Sequence, residues 1–269
     1  MTVPPDPFAV VAAIPGVADR VTAARAVVDR ALGHTVLRRR SAEVTVQAGL
    51  RSARATAALE GADFLLEDVR SFVLPEEPDP DAATLAGALR LSGELGSVLA
   101  SFERAPLQVF ARLHLLAAAD VVKADGLGRP RTPDDDSEDL LGLPPAPPAT
   151  EVAARLGLLA DLLAGRTTAP ALVVSAIVHG ELLALRPFVW GNGLVARAAG
   201  RLVLVARGLD PKAVTAPEVG HAEDASAYRE AALAYISGDV GTWVAHCALA
   251  TELGARETLA ICAAIERAG

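Results

Sequence analysis

The residues best placed to do chemistry run Arg186-Pro187-Phe188-Val189-Trp190-Gly191-Asn192-Gly193-Leu194-Val195-Ala196-Arg197. Gly191-Asn192-Gly193 can turn tightly and aim several backbone N–H groups in one direction. Residues 194–207 follow with apolar side chains at helical intervals, so the turn sits ahead of a helix whose positive end would face an anion. A phosphate group is the natural ligand of such a corner, and Arg186 could serve there as a clamp. A plain loop-to-helix turn, with Arg186 paired to a carboxylate or solvated, is the competing reading. Trp190 could stack on a flat ligand or fill the core.

Other candidate groups are sparse. His34, His114, His179, His221 and His246 show no metal-ligand spacing in sequence, and no cysteine stands near enough along the chain to complete a zinc site, so no metal is expected. His179 precedes Arg186 by two helical turns and is the weak alternative for a catalytic base, against a buried, hydrogen-bonded core histidine. Cys247 and Cys262 fall in helical stretches and read as ordinary buried thiols, which argues against a disulfide framework. The run Asp134-Asp135-Asp136-Ser137-Glu138-Asp139 reads as a solvated acidic loop, with cation binding the lesser alternative.

These residues must be positioned by helices. Apolar residues recur at three- and four-residue intervals, and alternating runs typical of strands are scarce, so the fold class is all-α. Helices are predicted at about 17–32, 42–58, 65–72, 81–104, 107–122, 151–164, 169–185, 194–207, 225–237 and 240–267, the last as one helix or as two segments broken at Gly254. Pro- and Gly-bearing breaks at 75–80, 126–133 and 144–148 separate them. The 269 residues are ample for a buried core. The net charge of −8, with Arg38-Arg39-Arg40 the one basic run, speaks against nucleic acid. Apolar content is 52%, largely alanine, without an uninterrupted span of membrane length, so no membrane insertion is expected. Residues 1–8 carry Pro and Asp instead of a basic start and an apolar run; no secretory leader is expected, and a reducing, cytoplasmic location is.

The segment from Arg186 to Arg197 resembles the signature of the Fic (Fido) family, HPFx[D/E]GNGRxxR, whose members mostly transfer AMP from ATP to protein hydroxyls. Pro187, Phe188, Gly191, Asn192, Gly193 and Arg197 match at the family's spacing. Ala176-Ile177-Val178-His179 with Leu185 resembles the helix entering that motif, and 202–209 the helix and turn leaving it. Tyr228 and Trp243 stand where the family has aromatics, while Leu113-His114 and Gly126-Leu127-Gly128-Arg129-Pro130-Arg131 resemble its Leu-His helix and the turn opening its target-binding flap. The resemblance covers about residues 50 to 250. It implies a Fic helical core at 76–269, a helical N-terminal region at 1–75, and a short flap hairpin at 134–142. Acids disfavour that hairpin, since like charges repel and have low strand propensity.

Three departures fall on the positions that matter most. Arg186 stands at the place of the family's catalytic His, and a guanidinium with a pKa above ~12 cannot accept a proton near neutral pH. Trp190 stands at the place of the acidic Mg²⁺ ligand and offers a hard cation no anionic oxygen. Leu194 replaces the first motif Arg, a nucleotide-phosphate contact. Thr56-Ala57-Ala58-Leu59-Glu60-Gly61 resembles the family's inhibitory helix, [S/T]xxxE[G/N], in which the Glu pairs with the second motif Arg; here the pair is Glu60 and Arg197. The expected site therefore comprises Arg186, Gly191, Asn192, Gly193 and Arg197 for a nucleotide or other anion, with Thr56, Glu60 and Gly61 inhibitory. Two expectations follow. One is a module that has lost AMP transfer and binds or regulates, with ATP or another nucleotide as ligand, Mg²⁺ not expected, and a protein partner met through the flap. The other is an enzyme of altered transfer chemistry restrained by Glu60–Arg197. A homodimer is compatible with either.

Overall fold

The computed structural model describes residues 6–268, so residues 1–5 of the stretch read as lacking a leader, and residue 269, lie outside the described residues. Thirteen helices follow in order: α1 (Pro7–Ala12), α2 (Val17–Leu32), α3 (Thr35–Arg39), α4 (Ser41–Leu59), α5 (Leu66–Arg70), α6 (Pro80–Phe102), α7 (Pro106–Ala118), α8 (Ala149–Ala164), α9 (Ala171–Leu185), α10 (Asn192–Ala206), α11 (Pro217–Glu223), α12 (Ala225–Ile236) and α13 (Val240–Ala268). No strand occurs among the described residues, so the all-α reading holds. No described helix is long and apolar enough to cross a membrane.

The centre of the fold is the pair α9 and α10. α9 is apolar on nearly every face, the pattern of a helix enclosed by others, and the side chains from Leu172 to Leu185 are mostly buried. It meets α10 closely at Gly200, where an added Cβ would stand 3.2 Å from the Cβ of His179, and Ser175 Oγ donates to the Gly200 carbonyl at 2.8 Å. α6 and α7 flank α10, α4 packs across α6, α10 and α11, and α13 lies along α2, α9, α11 and α12. The main apolar cluster runs from Phe8 to Ala255 and so crosses residue 75.

The sequence reading misses α1, α3 and α11, each under two turns, too short for a 3.6-residue period to register. Local caps carry the first two: Asp6 accepts from Phe8 N–H at 3.0 Å and His34 Nδ1 from Val36 N–H at 3.2 Å. α13 is continuous through Gly254, contrary to the suggested break. That glycine serves close approach, because a Cβ there would collide with the backbone of Ala216 and Pro217.

The expected flap hairpin does not form; residues 134–142 are loop and turn. Asp135 accepts from both N–H and Oγ1 of Thr132 (2.7 and 2.8 Å), closing a local turn that competes with extended pairing. Leu141 (φ 55°) and Gly142 (φ 58°) are both left-handed, which no strand accommodates. Leu140 and Leu143 are buried on either side and hold the loop against the core.

Candidate functional site

α10 begins at the Gly-Asn-Gly turn, as the sequence requires. Gly191 is left-handed (φ 74°), a conformation glycine adopts at no steric cost. Asn192 fixes the corner: its Oδ1 accepts from Phe188 N–H at 2.9 Å and its Nδ2 donates to the Phe188 carbonyl at 2.8 Å. Phe188 in turn stacks on His114, ring centroids 4.1 Å apart and 2° from parallel. The result is a loop tied at both ends by Asn192 and Phe188, ahead of the first N–H groups of α10.

Those N–H groups already hold an anion, and it belongs to the chain. Glu138 Oε1 accepts from Gly191 N–H at 3.0 Å, and Oε2 accepts from Asn192 N–H and Nδ2, both at 2.9 Å. The solvated acidic loop expected from sequence is thus wrong at Glu138, while Asp134 and Asp136 are exposed. The helix end supplies partial positive charge and unpaired donors, which a carboxylate satisfies as a phosphate would. Burial, then repulsion from Glu60, raises the Glu138 pKa, with the Asn192 and Gly191 hydrogen bonds opposing the shift.

Glu60 reaches the same helix end from α4. Gly61, left-handed at φ 93°, ends α4, and Ala62 N–H returns to the Ala57 carbonyl at 3.0 Å, so Glu60 is fixed on the last turn. Thr56 and Glu60 are four residues apart and share a face. Both meet Arg197: Nη2 forms an ion pair with Glu60 Oε1 and donates to the Thr56 carbonyl at 3.2 Å, and Nε donates to Thr56 Oγ1. Burial opposes the charge on Arg197, yet Glu60 more than offsets it, and its pKa lies above the ordinary arginine range. Gly193 leaves room for this pair, since a Cβ at that position would overlap the Glu60 carboxylate and stand 3.0 Å from Cδ.

Arg186 is not aimed at the turn as a phosphate clamp would be. It caps α9 in a left-handed conformation (φ 41°, ψ 66°), uncommon for a residue with a Cβ, and its Nη2 donates to the Pro144 carbonyl. Its Nε has no hydrogen-bond partner among the described residues. Burial first, then the neighbouring Arg131 cation, lowers its pKa, with Asp139 and Glu138 opposing. Arg131 binds the same segment, donating from Nε to the Arg186 carbonyl at 2.9 Å and from N–H to the Pro187 carbonyl at 2.7 Å. The two arginines tie the loops at 131 and 144–147 to the end of α9. Trp190 lies half-buried on a surface groove beside Pro75, Pro80 and Asp120, which separates it from the Arg197 end of the site.

His179 is a buried, hydrogen-bonded core residue: its Nε2 lies 2.8 Å from Tyr228 Oη, and Tyr228 Oη accepts from Arg197 Nη1 at 3.5 Å. Burial, then the Arg197 charge, lowers its pKa well below the ordinary value. Trp243 and His221 pack around it, and His246 stacks on His221. One reading from sequence fails here. A cysteine does stand near these histidines, because α9, α11 and α13 bring ligand atoms of His179, His221 and Cys247 within 4.8 Å of one another. Cys247 and Cys262 are both free and buried.

Of the residues read from sequence, the fold gathers Thr56, Glu60, Gly193 and Arg197 at one end of α10 and Gly191 with Asn192 at its first turn, and turns Arg186 away. Glu138, Arg131 and Tyr228 are the participants that sequence reasoning missed as contacts of these groups. The one advance signal for Glu138 was its place just before Leu140 and Leu143, apolar anchors that hold the loop inward.

Comparison with known proteins agrees with this architecture. The family model described as Fic/DOC family matches residues 105–204, from the start of α7 to the last turn of α10. A crystal structure of a Fic family protein from Desulfovibrio desulfuricans G20 superposes with a TM-score of 0.77 at 22% identity, covering 92% of this chain and 75% of that one. Fic-1 from C. elegans superposes with a TM-score of 0.71 at 20% identity, covering 94% and 74%. No curated protein matches. The chain has the fold of these Fic proteins, and its residues 105–204 match the Fic/DOC family model.

Proposed function

We propose that this protein is a Fic-fold binding or regulatory module that has given up Mg²⁺-dependent AMP transfer and keeps an anion pocket, for ATP or another nucleotide, shielded by its own carboxylates. The observation that carries the reading is the Glu138 carboxylate on the N–H groups of Gly191 and Asn192, which marks the α10 N-terminus as an anion site by occupying it. Glu60 on Arg197 blocks the second positive group. The side chain at 186 supports loss of transfer, since an arginine donating to the Pro144 carbonyl has neither the lone pair nor the direction to take a proton from a hydroxyl at the turn. The exposed acids Asp134 and Asp136 suit a basic partner surface and support a protein partner met through this loop.

The test is calorimetric titration of ATP, ADP and AMP, with and without Mg²⁺, into the wild type and Glu60→Gly. The expected result is nucleotide binding that strengthens in Glu60→Gly and is indifferent to Mg²⁺, with no covalent modification of the protein by mass spectrometry. Mg²⁺-dependent AMP transfer by Glu60→Gly would overturn the reading in favour of an enzyme restrained by the Glu60–Arg197 pair. Absence of binding by both proteins would remove the nucleotide.

A further inference from the structure

The cluster behind Arg197 has no role in that proposal. His179 on α9, His221 on α11 and Cys247 on α13 are all buried, and one ligand atom from each lies within 4.8 Å of the other two. They border a cavity of about 20 Å³, room for one water or a single ion, together with Glu218 and Arg201. Glu218 is 4% exposed, and its Oε2 has no hydrogen-bond partner among the described residues. A buried carboxylate oxygen left in that state costs several kcal/mol unless something positive meets it.

We propose that His179, His221 and Cys247 form a site for one tetrahedral, zinc-class divalent cation, with Glu218 closing the shell directly or through one water. The donor set of two imidazoles and a thiolate selects zinc over Mg²⁺ or Ca²⁺, which take oxygen. Nε2 of His179 is engaged by Tyr228 Oη at 2.8 Å and Nδ1 of His221 by His246 Nε2 at 3.0 Å, so the site would use Nδ1 of His179 and Nε2 of His221.

The charges in the surrounding shell favour a cation despite two nearby arginines. Arg197 is paired with Glu60, and Arg201 lies in the field of Asp210. Glu218 is the one acid lining the cavity, where the Nε of Arg201 also lacks a hydrogen-bond partner among the described residues. Metal–sulfur bond formation releases the Cys247 proton to solvent, and the thiolate and Glu218 carboxylate together then balance a divalent ion. The site would pin α9, α11 and α13 together behind the anion pocket.

Co²⁺ is the probe, because its thiolate charge-transfer and tetrahedral d–d absorption report the ligand set directly. Full-length protein stripped with a chelator is titrated with Co²⁺ and then with Zn²⁺. The expected result is one equivalent of Co²⁺ with both absorptions, displaced by one equivalent of Zn²⁺, and an unchanged titration in Cys262→Ser. Since the chain has two cysteines, persistence in Cys262→Ser assigns the thiolate to Cys247 without requiring a Cys247 variant to fold. Where Cys247→Ser does fold by circular dichroism, it loses the charge-transfer band and binds more than about 100-fold more weakly, beyond the ~10–100-fold cost of second-shell changes. A wild type without the charge-transfer band, or a band lost in Cys262→Ser, overturns the site and leaves a buried water as the occupant.

Discussion

Replacing Glu138 by alanine should open the N-terminus of α10 to an external anion. In the wild type the carboxylate occupies three donors at 2.9–3.0 Å, so a phosphate oxygen seeking them meets a negative charge at contact range. Two unit charges about 4 Å apart repel by ~4 kcal/mol at an effective dielectric near 20. At ~1.4 kcal/mol per decade that is roughly a 10³-fold gain in ATP affinity on removing the carboxylate. Glu138→Gln removes the charge and keeps the volume, so its gain should be smaller. Leu140 and Leu143 anchor the loop independently, so the truncation should cost about the 0.5–2 kcal/mol of a lost helix cap and leave the fold intact. The assay is calorimetric titration of ATP at fixed salt, with circular dichroism as the control. A pH series adds an independent readout. Burial and Glu60 raise the Glu138 pKa, so acidification toward that value neutralises the carboxyl and strengthens wild-type binding, while Glu138→Ala shows no such gain. A folded Glu138→Ala protein that binds ATP no more tightly than the wild type would refute the reasoning and reduce the Gly-Asn-Gly turn to a structural corner.

Two further predictions rest on the same geometry. Gly193→Ala should displace Glu60 from Arg197, losing ~3–5 kcal/mol for a broken buried pair against ~1 kcal/mol gained in helix propensity, a net destabilisation of ~2–4 kcal/mol by urea unfolding. In a Glu60→Ala background the same substitution should cost almost nothing, and additive costs would contradict the steric account. The protein should also be acid-labile between pH 6.5 and 4, because His114 is held neutral by burial with its pKa pushed down to about 4, and burial also holds His179 and His221 well below the ordinary value. As pH falls through 6.5 the unfolded chain takes up protons that the fold refuses, so stability is full above that value and lost below it. His114 alone accounts for about 3 kcal/mol at pH 4, measurable as a fall in urea midpoint that His114→Gln should reduce.

Long elements were legible because their apolar periods repeat for several turns: α2 matches its expected bounds, and α9 and α10 lie within two residues of theirs. The Gly-Asn-Gly corner and the Thr56–Glu60–Arg197 contact were legible too, the first from turn chemistry and the second only through the resemblance to the family's inhibitory helix. What stayed hidden was set by tertiary approach. Gly254 reads locally as a helix breaker, and only the backbone of Ala216 against α13 makes it a packing position. Glu138 is one acid among several until its loop folds over the turn. His179, His221 and Cys247 come from three helices, and no spacing rule covers ligands gathered that way.

The four buried arginines show why the carboxylates are the exchangeable part of the site. Arg131, Arg186 and Arg201 donate chiefly to backbone carbonyls, those of Pro147, Pro144 and Ala213 among them, and these acceptors are fixed by the chain path. Arg197 also uses the Thr56 carbonyl, but its ion pair ends on the side chain of the residue that caps the end of α4, next to a glycine. Glu138 likewise hangs from a loop. A ligand cannot displace a carbonyl without unfolding a segment, whereas it can displace a side-chain carboxylate by a change of rotamer. The available positive groups are therefore the first N–H donors of α10 and the Glu60-bound face of Arg197. Glu60 and Glu138 repel each other across them, which lowers the cost of expelling either. A polyphosphate long enough to meet both groups replaces two mutually repelling carboxylates at once, whereas a single phosphate replaces one and remains beside the other. Binding should accordingly rank ATP above AMP, and the gap should narrow in Glu60→Gly, where the second carboxylate is gone.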